Sequence, residues 1–106
     1  MRRINVVQFT GKPQAFVAHL EIEEEEAERR WGPCDITSDD FASWITFAFE
    51  LADGTPVALF RERDFPPAPG FIMSAIGNRD LRDVLNIFLG EADLPRDCVT
   101  GYKGFD

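Results

Sequence analysis

The chain has 106 residues, 44% of them hydrophobic and ten of them phenylalanine, and it carries 19 acidic against 11 basic side chains for a net charge of −8. That length suits one domain, expected to span residues 1–106, and the apolar content is too high for global disorder. A field of this sign repels phosphate backbones and anionic membrane surfaces, which argues against direct nucleic-acid or membrane binding and favours a cationic protein as partner.

Residues 3–9 (RINVVQF) are β-branched and apolar and read as a first strand. The opening MRRINVVQF has too short an apolar run for a signal peptide, and no stretch reaches the roughly eighteen apolar residues of a membrane span. A cytoplasmic location is expected, with Cys34 and Cys98 as reduced thiols, since they are distant and lack CxxC spacing. Gly11-Lys12-Pro13 breaks the strand, and Pro13 suits the first turn of a helix.

Two periodicities compete over the next segment. Phe16, Ala18, Leu20 and Ile22 alternate as in a half-buried strand, while Phe16, Leu20, Ala27 and Trp31 share one face of a helical wheel. The Ala, Leu, Glu and Arg content favours a helix over residues 14–30, ended by Gly32-Pro33. On it Glu25 would pair with Arg29 and Glu26 with Arg30 at i,i+4. Glu21, Glu23, Glu24 and Glu28 are left without partners nearby in sequence. Beyond it, Thr37-Ser38 before Asp39-Asp40 reads as the capped start of a short helical turn.

SWITFAFELADGTPVALFRER is expected to be a hairpin, with Asp53-Gly54 forming a two-residue type I′ turn. Counting outward pairs Phe47 with Phe60, Phe49 with Ala58 and Trp44 with Arg63. Ile45, Phe47, Phe49, Leu51, Ala58 and Phe60 then form the core face. On the other face Trp44 would lie over Arg63 in a cation–π contact or serve as a binding anchor. Pro56 would sit opposite Leu51, and its strand would lack a neighbour at that end.

PPAPG is a stiff loop, with Pro69-Gly70 suited to a type II turn. Phe71–Ala75 follows as a short strand. Asn78 is expected to cap a helix over residues 79–89, with Leu81, Val84, Leu85 and Phe88 as its apolar stripe and Gly90 as its stop. A last strand lies near residues 98–102. The fold class is therefore α+β, a mostly antiparallel sheet with two helices on one face, in the order β-α-β-β-β-α-β. Phe47, Phe49, Phe60, Leu85 and Phe88 are the expected deep core.

No catalytic motif is present, and no enzyme activity, cofactor or metal is expected. His19 is the sole histidine, the cysteines show no ligand spacing to it, and no serine lies in a GxSxG elbow. The charge is unevenly placed. Residues 21–53 hold eleven acids against Arg29 and Arg30, a net −9, and the remaining 73 residues hold eight acids against nine bases.

From Phe47 the chain reads FAFELADGTPVALFRERDFPPAPGFIM and then LRDVLNIFLGEADLPRDCVTGY. This succession of a DG hairpin, charged strand, Pro-Gly loop, short strand, helix and final strand, over roughly residues 47–102, resembles small bacterial immunity or antitoxin-type proteins carried beside toxins. The resemblance implies a non-catalytic inhibitor that neutralises a toxin, such as a basic nuclease, by direct binding. The acidic segment Glu21 to Asp40 lies outside it. The residues expected to meet the partner are Glu23, Glu24, Asp39 and Asp40, with Trp44 as an aromatic anchor, in a protein that is a monomer or weak homodimer. A phage-encoded inhibitor mimicking nucleic-acid charge, as anti-CRISPR proteins do, and a housekeeping interaction domain are the alternative readings.

Overall fold

The central hairpin pairs β4 (Ser43–Glu50) with β5 (Pro56–Glu62), and its register decides which side chains reach the core. In this computed structural model, which describes residues 1–9, 11–38, 40, 42–63 and 70–102, Phe47 stands opposite Leu59, Phe49 opposite Val57 and Trp44 opposite Glu62. The expected register was off by one residue. The cause lies in the turn. The Leu51 N–H donates to the Thr55 carbonyl at 2.9 Å and Gly54 N–H to the Leu51 carbonyl at 2.8 Å, so three residues form the loop. Gly54 takes a positive φ of 91° and Asp53 does not, which fits a type I turn with a left-handed glycine rather than type I′. A one-residue slip turns the whole second strand over. Val57 and Leu59 therefore enter the core beside Ile45, Phe47 and Phe49, while Ala58 and Phe60 go to the opposite face.

Asp53 holds the loop. Its Oδ1 accepts from Thr55 N–H at 2.9 Å and its Oδ2 meets Arg79 at 2.8 Å. Ala52 N–H donates to Glu91 at 3.1 Å, tying the loop to the second helix.

Around this hairpin the described residues form a seven-stranded sheet, antiparallel throughout, in the order β1-β4-β5-β6-β2-β7, with β3 sharing the outer edge of β4 with β1. The other strands are β1 (Arg2–Arg3), β2 (Ala15–Leu20), β3 (Asp35–Ser38), β6 (Phe71–Ala75) and β7 (Val99–Tyr102). The helices are α1 (Glu24–Trp31) and α2 (Leu81–Ala92), and both pack into the cluster containing Phe47, Phe49 and Phe71. The α+β class holds, with strands β6 and β7 where the pattern places them.

Several local expectations are corrected. The helix over residues 14–30 is a strand followed by a helix of half the length. β2 bonds to β6 and β7 on its two edges, which sends Ala18 and Leu20 to the core opposite Met73 and Phe71. A bulge at Val17 buries that side chain too. Pairing on both sides outweighs helix propensity, a weak preference that tertiary context overrides. The strand expected over residues 3–9 stops after Arg3. Asn5 accepts Val7 N–H on its side chain and Gln8 N–H on its carbonyl, which turns Val6–Phe9 into a 3-10 helix.

Asp35–Ser38 is an edge strand paired with residues 43–46, so Thr37 and Ser38 are strand residues and not a helix cap; the turn expected to begin at Asp39-Asp40 falls partly outside the described residues, which omit Asp39. Helix α2 is capped by Asp80, whose carboxylate accepts from Arg82 and Asp83 N–H, and not by Asn78. It runs through Gly90 to a left-handed Asp93. Pro56 sits opposite Glu50, and its strand does have a neighbour there. Ile76 N–H donates to the Pro56 carbonyl at 3.1 Å, and the proline returns no bond, so the ladder with β6 ends at that point.

The Pro69-Gly70 turn falls on residues outside those described, apart from Gly70 itself. A Cβ there would lie 2.1 Å from the Leu20 carbonyl oxygen, so only glycine fits this approach.

Phe47, Phe49, Leu85 and Phe88 are at most 1% exposed, whereas Phe60 is half-buried on the outer face, contrary to expectation. Phe47→Ala should cost about 3–5 kcal/mol in urea unfolding, and Phe60→Ala should cost well under half of that. Equal losses would contradict the observed register.

Hydrogen bonds from Thr55, with Arg79 adding to them, hold the Asp53 carboxyl below its ordinary value of 3.8. A depressed carboxylate contributes stability above its unfolded pKa and loses it as pH falls through the folded one. The stability gap between the parent and Asp53→Asn should therefore be full near neutral pH, shrink as pH drops below 3.8 and close at still lower pH. Urea titrations across that range check it.

Candidate interaction surface

Helix α1 has the sequence EEEAERRW, and only Ala27 in it is fully buried. Eight residues are too few to form a stable helix alone, since isolated helices need about 12–15. Its anchor is Trp31, whose ring meets Phe49 at 5.1 Å, Phe47 at 5.7 Å and Phe88 at 6.3 Å. Arg3 locks the far end of the helix. Its guanidinium donates to the Trp31 carbonyl at 2.7 Å and the Pro33 carbonyl at 3.2 Å, pairs with Asp35 at 3.3 Å, and lies 5.0 Å from the Phe47 ring. Glu24, Glu25 and Glu26 occupy the positive end of the helix and Arg29 and Arg30 the negative end, the favourable sense for its dipole.

One of the two expected ion pairs forms, Glu26 with Arg30 at 3.6 Å; Arg29 also turns to Glu26, at 3.4 Å, and no Glu25–Arg29 pair is present among the described residues. Arg30 also donates to the Ala92 carbonyl at the end of α2. Among the described residues Glu21, Glu23, Glu24, Glu25 and Glu28 form no ion pair, and all but the half-buried Glu24 are exposed. Asp35, Glu50 and Asp53 are neutralised by Arg3, Arg2 and Arg79.

Strand pairing collects most of the expected partner-binding residues at one end of the sheet. Leu20 stands beside Phe71 and Val99, Ser38 beside Ser43, and Trp44 beside Glu62, so β2, β3 and β5 finish where β4, β6 and β7 begin. Glu23 and Glu24 follow β2 there, and Asp40 lies between β3 and β4. Four strand spacings separate β2 from β3, roughly 20 Å at about 4.8 Å each.

Trp44 shares that end but lies on the face away from the helices, so the sheet stands between it and α1. Its ring packs edge-on against Phe60 at 5.7 Å and 82°, not under Arg63.

The Trp44–Phe60 pair is a wall common to two hollows. One, of about 340 Å³, lies on the outer face between this pair and the 3-10 helix, lined by Val6, Phe9 and Ala58 and by no charged residue among the described ones. The other, of about 430 Å³, opens at the acidic end of the sheet and adds Phe71, Ile72, Arg61, Glu62, Glu21 and His19. Neither Arg61 nor Glu62 is among the site residues expected from sequence. The charged RER run closing an apolar strand was the available signal.

His19 is exposed, its ring 5.0 Å from that of Phe16, and among the described residues no three His, Cys, Asp or Glu side chains gather as metal ligands. Burial, followed by the Glu28 and Glu24 carboxylates, pushes the Cys34 thiol up, and burial does the same to Cys98. Reactive thiols need the opposite shift. No helix among the described residues is long and apolar enough to cross a membrane. No known protein family, curated protein or solved structure matches the chain.

Trp31→Ala should release α1, costing about 3 kcal/mol. Amide exchange across residues 24–31 should accelerate at conditions where β4 and β5 stay protected. Unchanged exchange in α1 would show that Arg3 and Arg30 suffice to hold it.

Proposed function

We propose that this chain is a non-catalytic acidic binding protein of the immunity type, which neutralises one basic toxin domain by covering it. The observation that supports this reading is the row of carboxylates at Glu21, Glu23, Glu24, Glu25 and Glu28, none in an ion pair among the described residues. Holding like charges side by side on a short helix costs stability. The helix is anchored through Ala27, Trp31 and the arginines, so these acids are not needed for its attachment. A cationic partner would relieve their repulsion, and the field would steer it in rapidly. Asp40 extends the charge to the far side of the same sheet end, and Trp44 offers an aromatic anchor on the other face.

The test begins by isolating the partner on immobilised protein. Expressed alone it should stop bacterial growth, and co-expression with this chain should restore it. In stopped-flow measurements the triple variant Glu23→Lys, Glu24→Lys and Asp40→Lys should associate about tenfold or more slowly at low salt. The difference should shrink as the Debye length falls to about 8 Å at physiological ionic strength. Trp44→Ala should chiefly speed dissociation. An unchanged association rate for the triple variant would sink the acidic-surface assignment.

A further inference from the structure

We infer that the cavity at the ends of β2, β5 and β6 binds a small zwitterion with an apolar body, of the hydrophobic α-amino acid class. The cavity shares Glu21 and Trp44 with the proposed partner surface, but the inference rests on Arg61 and not on that reading. The cavity holds about 430 Å³, within the range of small-molecule sites, and its walls are mainly Leu20, Trp44, Phe60, Phe71 and Ile72.

Arg61 lines the same cavity and is the unusual residue in it. Its Nε is buried and has no hydrogen-bond partner, and its guanidinium lies 5.8 Å from the Phe71 ring. It forms no ion pair among the described residues. Buried polar groups are ordinarily bonded, and leaving a charged donor unmet is costly. Arg3 shows the difference. Its Nε is also unmet, but its other guanidinium nitrogens bond two carbonyls and a carboxylate. Arg61 lacks these, so an acceptor from outside the chain would complete it. A carboxylate matches the guanidinium fork best.

A simple monoanion would not suit the cavity, because Glu21 and Glu62 line it as well and neither is in an ion pair among the described residues. A simple cation would in turn be repelled by Arg61. A ligand carrying both charges on one carbon meets both requirements, its carboxylate at Arg61 and its ammonium toward the two glutamates. The apolar side chain of such a ligand would rest on Trp44 and Phe60, which are half-buried.

The experiment is a calorimetric titration of the full chain with L-phenylalanine, 3-phenylpropionate and phenethylamine, repeated on Arg61→Gln. The parent should bind L-phenylalanine about tenfold or more tightly than either analogue, since each analogue leaves one site charge unmet. Arg61→Gln should bind L-phenylalanine no better than phenethylamine, and should bind phenethylamine more tightly than the parent does, because the repelling guanidinium is gone. A parent that shows no preference for L-phenylalanine, including one that binds none of the three, overturns the inference. So does an Arg61→Gln protein that retains the preference. If that variant fails to fold, the ranking on the parent decides alone.

Discussion

Four rings, Trp31, Phe47, Phe49 and Phe88, form the junction at which both helices meet the sheet. Without Trp31 the first helix would present only Ala27 as a fully buried contact, far too little apolar area to hold eight residues in place. The junction is reinforced from outside the ring cluster. Arg3 binds the carbonyls where α1 ends, and Arg30 reaches across to the end of α2. Each cation thus satisfies carbonyls at a helix end, which have no partner within their own helix.

That division of labour frees the acidic side chains. Where the fold needs a carboxylate, it has given it a cation or a backbone donor: Asp35 to Arg3, Glu50 to Arg2, Asp53 to Arg79 and Thr55, Glu91 to Ala52. The carboxylates just before and along α1 are different. Glu26 alone among them holds cations, Arg29 and Arg30; the others suit the helix dipole at most and do not anchor the helix. A surface with this property favours an external cation, which is the basis for reading the chain as an inhibitor of a basic protein.

The two faces of the sheet are unequal. The helix face is closed by α1 and α2, and the other is covered at one end by Ile4 and Phe9 packing on Ala48 and Ala58. Toward the opposite end Trp44, Phe60 and Ile72 are only half-buried. The cavity with Arg61 lies at that opposite end. Polar and apolar demands that the chain leaves unmet therefore gather in one region, remote from the DG hairpin loop and its tightly bonded Asp53.

Some of this was legible from residues alone. Alternation in SWITFAFE, the Leu81, Val84, Leu85 and Phe88 stripe, and the apolar run Phe71–Ala75 each allow one conformation at their length, so the α+β class followed directly. The imbalance of charge was equally plain. Three features waited on tertiary contacts. Phe16 to Ile22 fits both a strand and a helix face, and only neighbours on both edges of β2 decide between them. Asp-Gly suits either a two-residue turn or a three-residue turn with a left-handed glycine. The choice moves Phe60 from core to outer face, and bonds across the hairpin make it. The meeting of Arg61 with Glu21, Trp44 and Phe71 has no trace in sequence spacing. It arises because antiparallel pairing brings the ends of β2 and β5 to the beginnings of β4 and β6.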